Sequence, residues 1–246
     1  MITNHYFLTG TSRGIGKAMA EALLSEPGNQ VTGLSRSNTI SHERFTHVPL
    51  DLSDLQQVRE WKFPQLPSAK KIVLVNNAGM IGDVKYAGRM SEDDIVRTYN
   101  VNLVAPSLLV NSFLRSYSEQ PAEQVILNVS SGAAKNPIDG WSIYCATKAG
   151  LDHFSRTVAE ELKQAGKTQV HLFSVAPGVV DTSMQEQIRS SSDADFSRLE
   201  QFIDYKKSDQ LLSPSLVASK YLAILGFPKN YGEIVFSLRD IPPTSK

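Results

Sequence analysis

The chain has 246 residues, 41% hydrophobic and 20% charged, the balance of an ordinary globular protein able to bury a sizeable core. Lys plus Arg and Asp plus Glu each total 25, so no net field draws the chain to nucleic acid or an acidic membrane. One cysteine, Cys145, excludes an internal disulfide, and no run reaches the ~18 apolar residues of a membrane span.

The opening residues, Met1 to Tyr6, lack the basic and long apolar regions of a signal peptide. With a lone cysteine, which suits a reducing compartment, this leads us to expect a cytoplasmic location. Tyr6 to Thr9 is a short apolar run ending in Gly10-Thr11-Ser12-Arg13-Gly14-Ile15-Gly16, and Lys17 to Leu24 follows at helical spacing. In such a strand–turn–helix unit the glycines let the backbone approach a ligand, and the helix N-terminus offers free N–H groups to a pyrophosphate. The spacing is G-x-x-x-G-x-G rather than the commoner G-x-G-x-x-G. A second strand runs from Gln30 to Ser35. Folds that take NAD place a carboxylate about 20 residues past the glycines, on the adenine ribose. Here that place holds Ser35, Arg36, Ser37 and Asn38. Arg36 together with Arg13 is suited to clamp a 2′-phosphate instead, which predicts NADP(H) over NAD(H).

A third strand, Thr46 to Leu50, leads into Asp51-Leu52, and Ser53 onward resembles a capped helix start. Asp51 thus stands at a strand's carboxyl end, where open α/β sheets bind ligands. Lys71 to Val75 is a continuous apolar run of the kind buried on both faces of a parallel sheet, and it ends in Asn76-Asn77-Ala78-Gly79. Ser91 to Tyr99 and Asn102 to Leu114 read as two helices, with Pro106 marking a kink or a start. Gln124 to Ser130 is a further buried strand, closing on Ser130-Ser131-Gly132.

Tyr144 and Lys148 stand four residues apart at the head of another helical pattern, so they share one face. An ammonium beside a phenol favours the phenolate, lowering a pKa that starts near ~10 and fitting the tyrosine for proton transfer near neutral pH. Cys145 reads as a small buried thiol. Gln169 to Val175 is the next strand, closing on Ala176-Pro177-Gly178-Val179-Val180-Asp181-Thr182. Residues 183–212 break the rhythm. A polar stretch, Arg189 to Asp195, precedes Phe196, Leu199, Phe202 and Ile203 at helical spacing, which suits a lid close to the strand ends. Ser215 to Leu225 is a helix with Pro214 in its first turn, Gly232 to Phe236 the last strand, and Ile241 to Lys246 a tail. The alternation of strands and helices predicts an α/β fold: one domain over 1–246, a doubly wound (Rossmann) parallel sheet flanked by helices. His5, His42, His47, His153 and His171 show no ligand spacing, so no metal is expected.

Over nearly its whole length the chain resembles the short-chain dehydrogenase/reductase family. The likeness rests on Thr9-Gly10-x-x-x-Gly14-Ile15-Gly16, Asn76-Asn77-Ala78-Gly79, Asn102, Ser131, the Tyr144/Lys148 pair and Pro177-Gly178, in order and at that family's spacing. It implies an oxidoreductase in which Asn102, Ser131, Tyr144 and Lys148 are catalytic. Ser131 rather than Ser130 stands thirteen places before Tyr144, the family's usual interval. The resemblance further implies that Asn102 holds a water in a proton relay, that Lys148 also meets the nicotinamide ribose, and that Asp51 and Leu52 meet the adenine. Asn77, Ala78 and Gly79 would then border the nicotinamide, Val180 and Thr182 would meet its carboxamide, and Pro177 and Gly178 would also line the cofactor site.

Pro137 to Ala146 and Ala176 to Gln185 are most similar to the branch of sepiapterin and benzil reductases, which reduce carbonyls and often vicinal dicarbonyls. Where sepiapterin reductases carry a pterin-anchoring aspartate, this chain has Phe236, so the resemblance implies an aromatic or diketone substrate. Ser131, Trp141, Tyr144, Met184 and Phe202 would line its pocket. Two other roles stay open, a 3-oxoacyl-thioester reductase and a non-catalytic NADP(H) sensor. Relatives pair through the helices that begin near Asn102 and Tyr144, which implies a homodimer or tetramer. Leu103, Leu108, Phe113, Leu151, Phe154 and Val158 serve either that bundle or the chain's own sheet.

Overall fold

The computed structural model describes residues 3–241. In chain order its elements are β1 (Asn4–Thr9), α1 (Gly14–Leu24), β2 (Asn29–Ser35), β3 (Phe45–Pro49), α2 (Leu55–Glu60), β4 (Lys71–Asn76), α3 (Glu92–Tyr99), α4 (Ala105–Tyr117), β5 (Glu123–Val129), α5 (Ser142–Gln164), β6 (Val170–Ala176), α6 (Ser183–Arg189), α7 (Leu199–Lys207), α8 (Pro214–Gly226) and β7 (Val235–Ser237). All seven strands pair in parallel in the order β3-β2-β1-β4-β5-β6-β7. The order reverses between β1 and β4, and in such sheets the crevice beyond the carboxyl ends at that reversal receives the ligand.

The apolar runs are continuous because both sheet faces are covered. Along a strand successive side chains alternate faces, so Tyr6, Leu8, Val73, Val75, Val125 and Leu127 pack in one core cluster with residues of α1 and α8. Phe7, Ile72, Leu74 and Ile126 enter a second cluster with residues of α2, α4 and α5. A third cluster gathers residues that follow β4, β5 and β6: Ile81, Ala133, Trp141, Tyr144, Ile188, Phe196 and Phe202.

Several expectations change. The helices read as separate at Ser91–Tyr99 and Asn102–Leu114 form one run, α3 into α4, joined by a π-helical turn over Asn100–Val104. The cause is Pro106, which has no N–H to return to Asn102 four residues back, and the Ala105 N–H reaches Asn100, five back, instead. Asp195, at the end of the stretch read as polar loop, is buried, and Phe196 is fully buried although α7 starts only at Leu199. Cys145 is half-buried rather than buried. Phe113, Leu151 and Val158 are buried in the chain's own core, while Leu103, Leu108 and Phe154 are partly exposed. Of the tail expected over 241–246, residues 242–246 lie outside those described. Among the described residues no helix is long and apolar enough to cross a membrane.

Candidate active site

The glycine turn between β1 and α1 needs glycine at three places, two for backbone conformation and one for space. Gly10 and Gly14 have φ of +73° and +58°, and a Cβ on Gly16 would fall inside the Gly10 carbonyl and the Asn77 amide. The turn after β4 is stitched to it, since the Thr9 hydroxyl accepts from the backbone N–H of Asn77 (2.9 Å) and Ala78 (3.0 Å). The Asn77 amide donates back to the Thr9 carbonyl at 2.9 Å. Thr182, at the cap of α6, lies 3.4 Å from where a Gly14 Cβ would stand, so the loop after β6 faces the same turn. In that loop Val180 is buried and bridged to Leu212, Pro177 is buried, and Gly178 takes a φ of +85° beside the Arg239 guanidinium. Thr11 meets Ser35 at 3.2 Å, which brings the end of β2, and with it Arg36, to the glycine turn. Arg13 and Arg36 are exposed and enter none of the ion pairs among the described residues. Asp51 accepts from the Ser53 N–H (2.9 Å) and hydroxyl (2.8 Å), and Leu52 beside it is buried. Ser12 and Ile15 are half-buried on the same turn.

Four polar side chains converge one step further along the cleft. Asn102, fully buried on the π turn, grips the Met80 backbone from both sides, accepting its N–H at 2.9 Å and donating to its carbonyl at 2.8 Å. Asn102 Nδ2 also reaches the Thr147 hydroxyl at 3.2 Å. Lys148 Nζ donates to the Val129 carbonyl at 2.8 Å and lies 5.8 Å from the centre of the Tyr144 ring. A Cβ placed on Gly79 would sit 3.4 Å from Asn102 Oδ1 and 3.6 Å from Lys148 Nζ, so both side chains reach the turn after β4. Ser131 is half-buried and its hydroxyl faces the Tyr144 phenol, whereas Ser130 is buried with its hydroxyl unpaired.

The electrostatics reverse one expectation. Burial pushes the Tyr144 phenol above its ordinary pKa, and only the Ser131 hydroxyl pulls it down. Lys148 drops to about 8, because burial outweighs the attraction of Asp152. A buried phenolate loses water that an ammonium at this distance, itself poorly solvated, does not replace. The phenol therefore stays protonated through the neutral range.

This carries a stability consequence. Below pH 8 the lysine is charged in both folded and unfolded chains, and the folded one bears the burial cost. Between about 8 and the unfolded value near ~10.5 only the unfolded chain keeps the proton, so stability rises with pH. Lys148→Met should raise the melting temperature relative to the parent at pH 7 more than at pH 10. A difference that stays level across that range would contradict it.

The residues expected at the substrate pocket lie together but are packed shut. Trp141 stacks on Phe196 with centroids 5.4 Å apart, meets Phe202 edge-on at 5.3 Å, and meets Tyr144 at 5.8 Å. Met184 packs on the rim of this cluster. Phe236 turns away, onto Phe173 and Tyr231 of the sheet core. Sequence reasoning missed Met80 and Thr147 as partners of Asn102, because both bonds join segments distant in the chain. It also missed Arg239 beside Gly178, which follows β7 with no motif to mark it.

Three comparisons bear on this geometry. The sequence profile described as short chain dehydrogenase matches residues 4–193. A benzil reductase ((S)-benzoin forming) of Bacillus subtilis (strain 168) is 41% identical over 227 residues, covering 89% of this chain and 92% of its own. A sepiapterin reductase of Xenopus laevis is 30% identical over 239 residues, covering 89% of each. The crystal structure of a short chain dehydrogenases/reductase from Saccharomyces cerevisiae superposes with a TM-score of 0.82 at 26% identity, covering 97% of both chains.

Proposed function

This chain belongs to the short chain dehydrogenase family and is an oxidoreductase, and on that premise we propose that it reduces the carbonyl of a small aromatic or vicinal-dicarbonyl substrate with NADPH. The observation that carries the reading is the meeting of Ser131, Tyr144, Lys148 and Asn102 at the Gly79 turn, next to an aromatic cluster. The residues present fit a dinucleotide. Gly16 leaves no room for a side chain, and Gly10 and Gly14 hold left-handed backbone, where a pyrophosphate needs backbone N–H groups. Ser12, Arg13 and Ile15 complete that turn, Asp51 and Leu52 would hold the adenine, and Arg36 with Arg13 the 2′-phosphate. Asn77, Ala78, Gly79, Pro177, Gly178, Val180 and Thr182 would border the nicotinamide. The bound cofactor supplies the hydride.

The protein's own groups manage the charge and the proton. The Ser131 hydroxyl donates to the substrate oxygen, where negative charge develops. Tyr144, protonated at neutral pH as any phenol is, gives that oxygen its proton, and its hydrogen bond from Ser131 works against the upward push of burial. Lys148 restores the proton from the interior side, and Asn102, its amide committed to Met80 and Thr147, fixes the backbone around it. Trp141, Met184 and Phe202 hold the apolar body of the substrate, and segment 183–212, tied at its base by the Val180–Leu212 bridge, acts as the lid.

Following NADPH absorbance against benzil, sepiapterin, diacetyl and an acetoacetyl thioester tests the reading. Benzil or diacetyl should turn over, and NADPH should bind at least about tenfold more tightly than NADH, with Arg36→Ala erasing most of the difference. Turnover confined to the thioester, or equal dissociation constants for the two cofactors, would overturn the corresponding part.

A further inference from the structure

Three stretches far apart in the chain meet at one carboxylate. Asp139 lies on the turn just ahead of α5, five residues before Tyr144. Its Oδ2 accepts from the Ser197 N–H at 2.7 Å and from the Tyr86 hydroxyl at 3.2 Å, and its Oδ1 accepts from the Ser197 hydroxyl at 3.0 Å. Tyr86 belongs to the loop after β4, and Ser197 to the stretch between α6 and α7.

The neighbouring backbone closes the same seam. The Gly140 carbonyl accepts from the Lys85 N–H at 3.1 Å. Gly140 takes a φ of +73° and approaches the Asp195 carbonyl so closely that a Cβ would not fit. Asp195 is itself buried, and its carboxylate pairs with Arg89 at 2.7 Å. The Gln187 amide of α6 donates to the Gly82 carbonyl at 3.1 Å. Directly inside this polar rim Trp141 presses on Phe196 and Phe202.

We infer that Asp139 is a positioning residue, a clasp that fastens the 183–212 segment and the loop after β4 onto the turn carrying Trp141 and Tyr144. The inference rests on the reading of that segment as a lid. Asp139 touches no reacting group and acts through Ser197 and Tyr86. A carboxylate that accepts three hydrogen bonds holds them more strongly than a neutral acceptor does. The bonds lie at the protein surface, where water can replace them one by one, so the seam can open and re-form as substrate enters between Trp141 and Phe202. The apolar cluster supplies most of the closing contact, but its attraction is less directional than a charge-assisted hydrogen bond. The directional bonds to Asp139 set where Ser197, and hence Phe196, comes to rest.

The test uses the full chain with NADPH. Asp139→Ala should raise KM for benzil about tenfold while kcat changes by less than about threefold, and leave the NADPH dissociation constant unchanged. Trypsin should cut after Arg189 and Arg198 several-fold faster in the variant than in the parent. Asp139→Asn, which retains a carbonyl acceptor, should recover part of both effects. Should Asp139→Ala fail to fold, the pair Tyr86→Phe with Ser197→Ala removes two of the three bonds and should shift KM and cleavage in the same direction. A parental KM together with parental cleavage in the variants that fold overturns the clasp. Absence of benzil turnover in the parent would instead count against the carbonyl reading, and the cleavage rates would still decide the clasp.

Discussion

Tyr144→Phe should fold, bind NADPH with parental affinity, and lose about 10²–10⁴-fold in turnover of any carbonyl the parent reduces. The change removes one oxygen and almost no volume. The ring keeps its edge contact with Trp141 at 5.8 Å, and the buried helix start around it is otherwise unaltered. What vanishes is the acid. Tyr144 is protonated at neutral pH, as a free phenol is, and the nearby Ser131 hydroxyl is too weak an acid to stand in. Lys148 points to the Val129 carbonyl instead. Ser131→Ala should be milder, about 10²–10³-fold, because it deletes one donor to the developing charge and leaves the proton source. Stopped-flow absorbance of NADPH with benzil, alongside fluorescence titration of the cofactor, separates chemistry from binding. A Phe variant that keeps more than about a tenth of parental turnover would remove Tyr144 from the role, and the reaction would need another acid.

Gly16→Ala should cost both cofactor affinity and stability. The added methyl would meet the Gly10 carbonyl and the Asn77 amide. Neither can step aside cheaply: Gly10 is held in a left-handed turn, and the Asn77 amide already donates to the Thr9 and Gly10 carbonyls at 2.9 and 3.3 Å. Relief therefore means moving α1 away from β1, which displaces the N–H groups offered to the pyrophosphate. Overpacking of this kind costs about 1–3 kcal/mol, and a like penalty on binding is about 10- to 100-fold in the dissociation constant. Gly232→Ala, where an added Cβ meets nothing, is the control and should change neither quantity. An NADPH affinity for Gly16→Ala equal to that of the control would mean that the turn does not hold the cofactor.

Much of the site was legible because its parts announce themselves locally. The glycine turn, the Asn-Asn-Ala-Gly turn and the Tyr144/Lys148 spacing are short motifs set at strand ends, and the strands that carry them are unbroken apolar runs. Asp139 had no such signal. Its partners Tyr86 and Ser197 are 53 and 58 residues away, in stretches without periodicity. The aromatic segment before α7 was visible only as spacing. That Phe196 and Phe202 would close on Trp141 depended on where the loop after β6 returns, at the Leu212 bridge.

The order of apolar runs, turns and helical spacing by itself determined the parallel α/β architecture, since each run must bury two faces and each intervening amphipathic stretch must cover one. The same order put glycine where a backbone must come close, and tyrosine and lysine one helical turn apart. Tertiary structure alone decided the π turn that holds Asn102 on Met80, the inward turn of Phe113, Leu151 and Val158, and the sign of the Tyr144 shift. Local pattern depends on neighbours along the chain, which a sequence displays. The solvation of a charge and the fit of a methyl group depend on neighbours in space, and those exist only after the elements have packed.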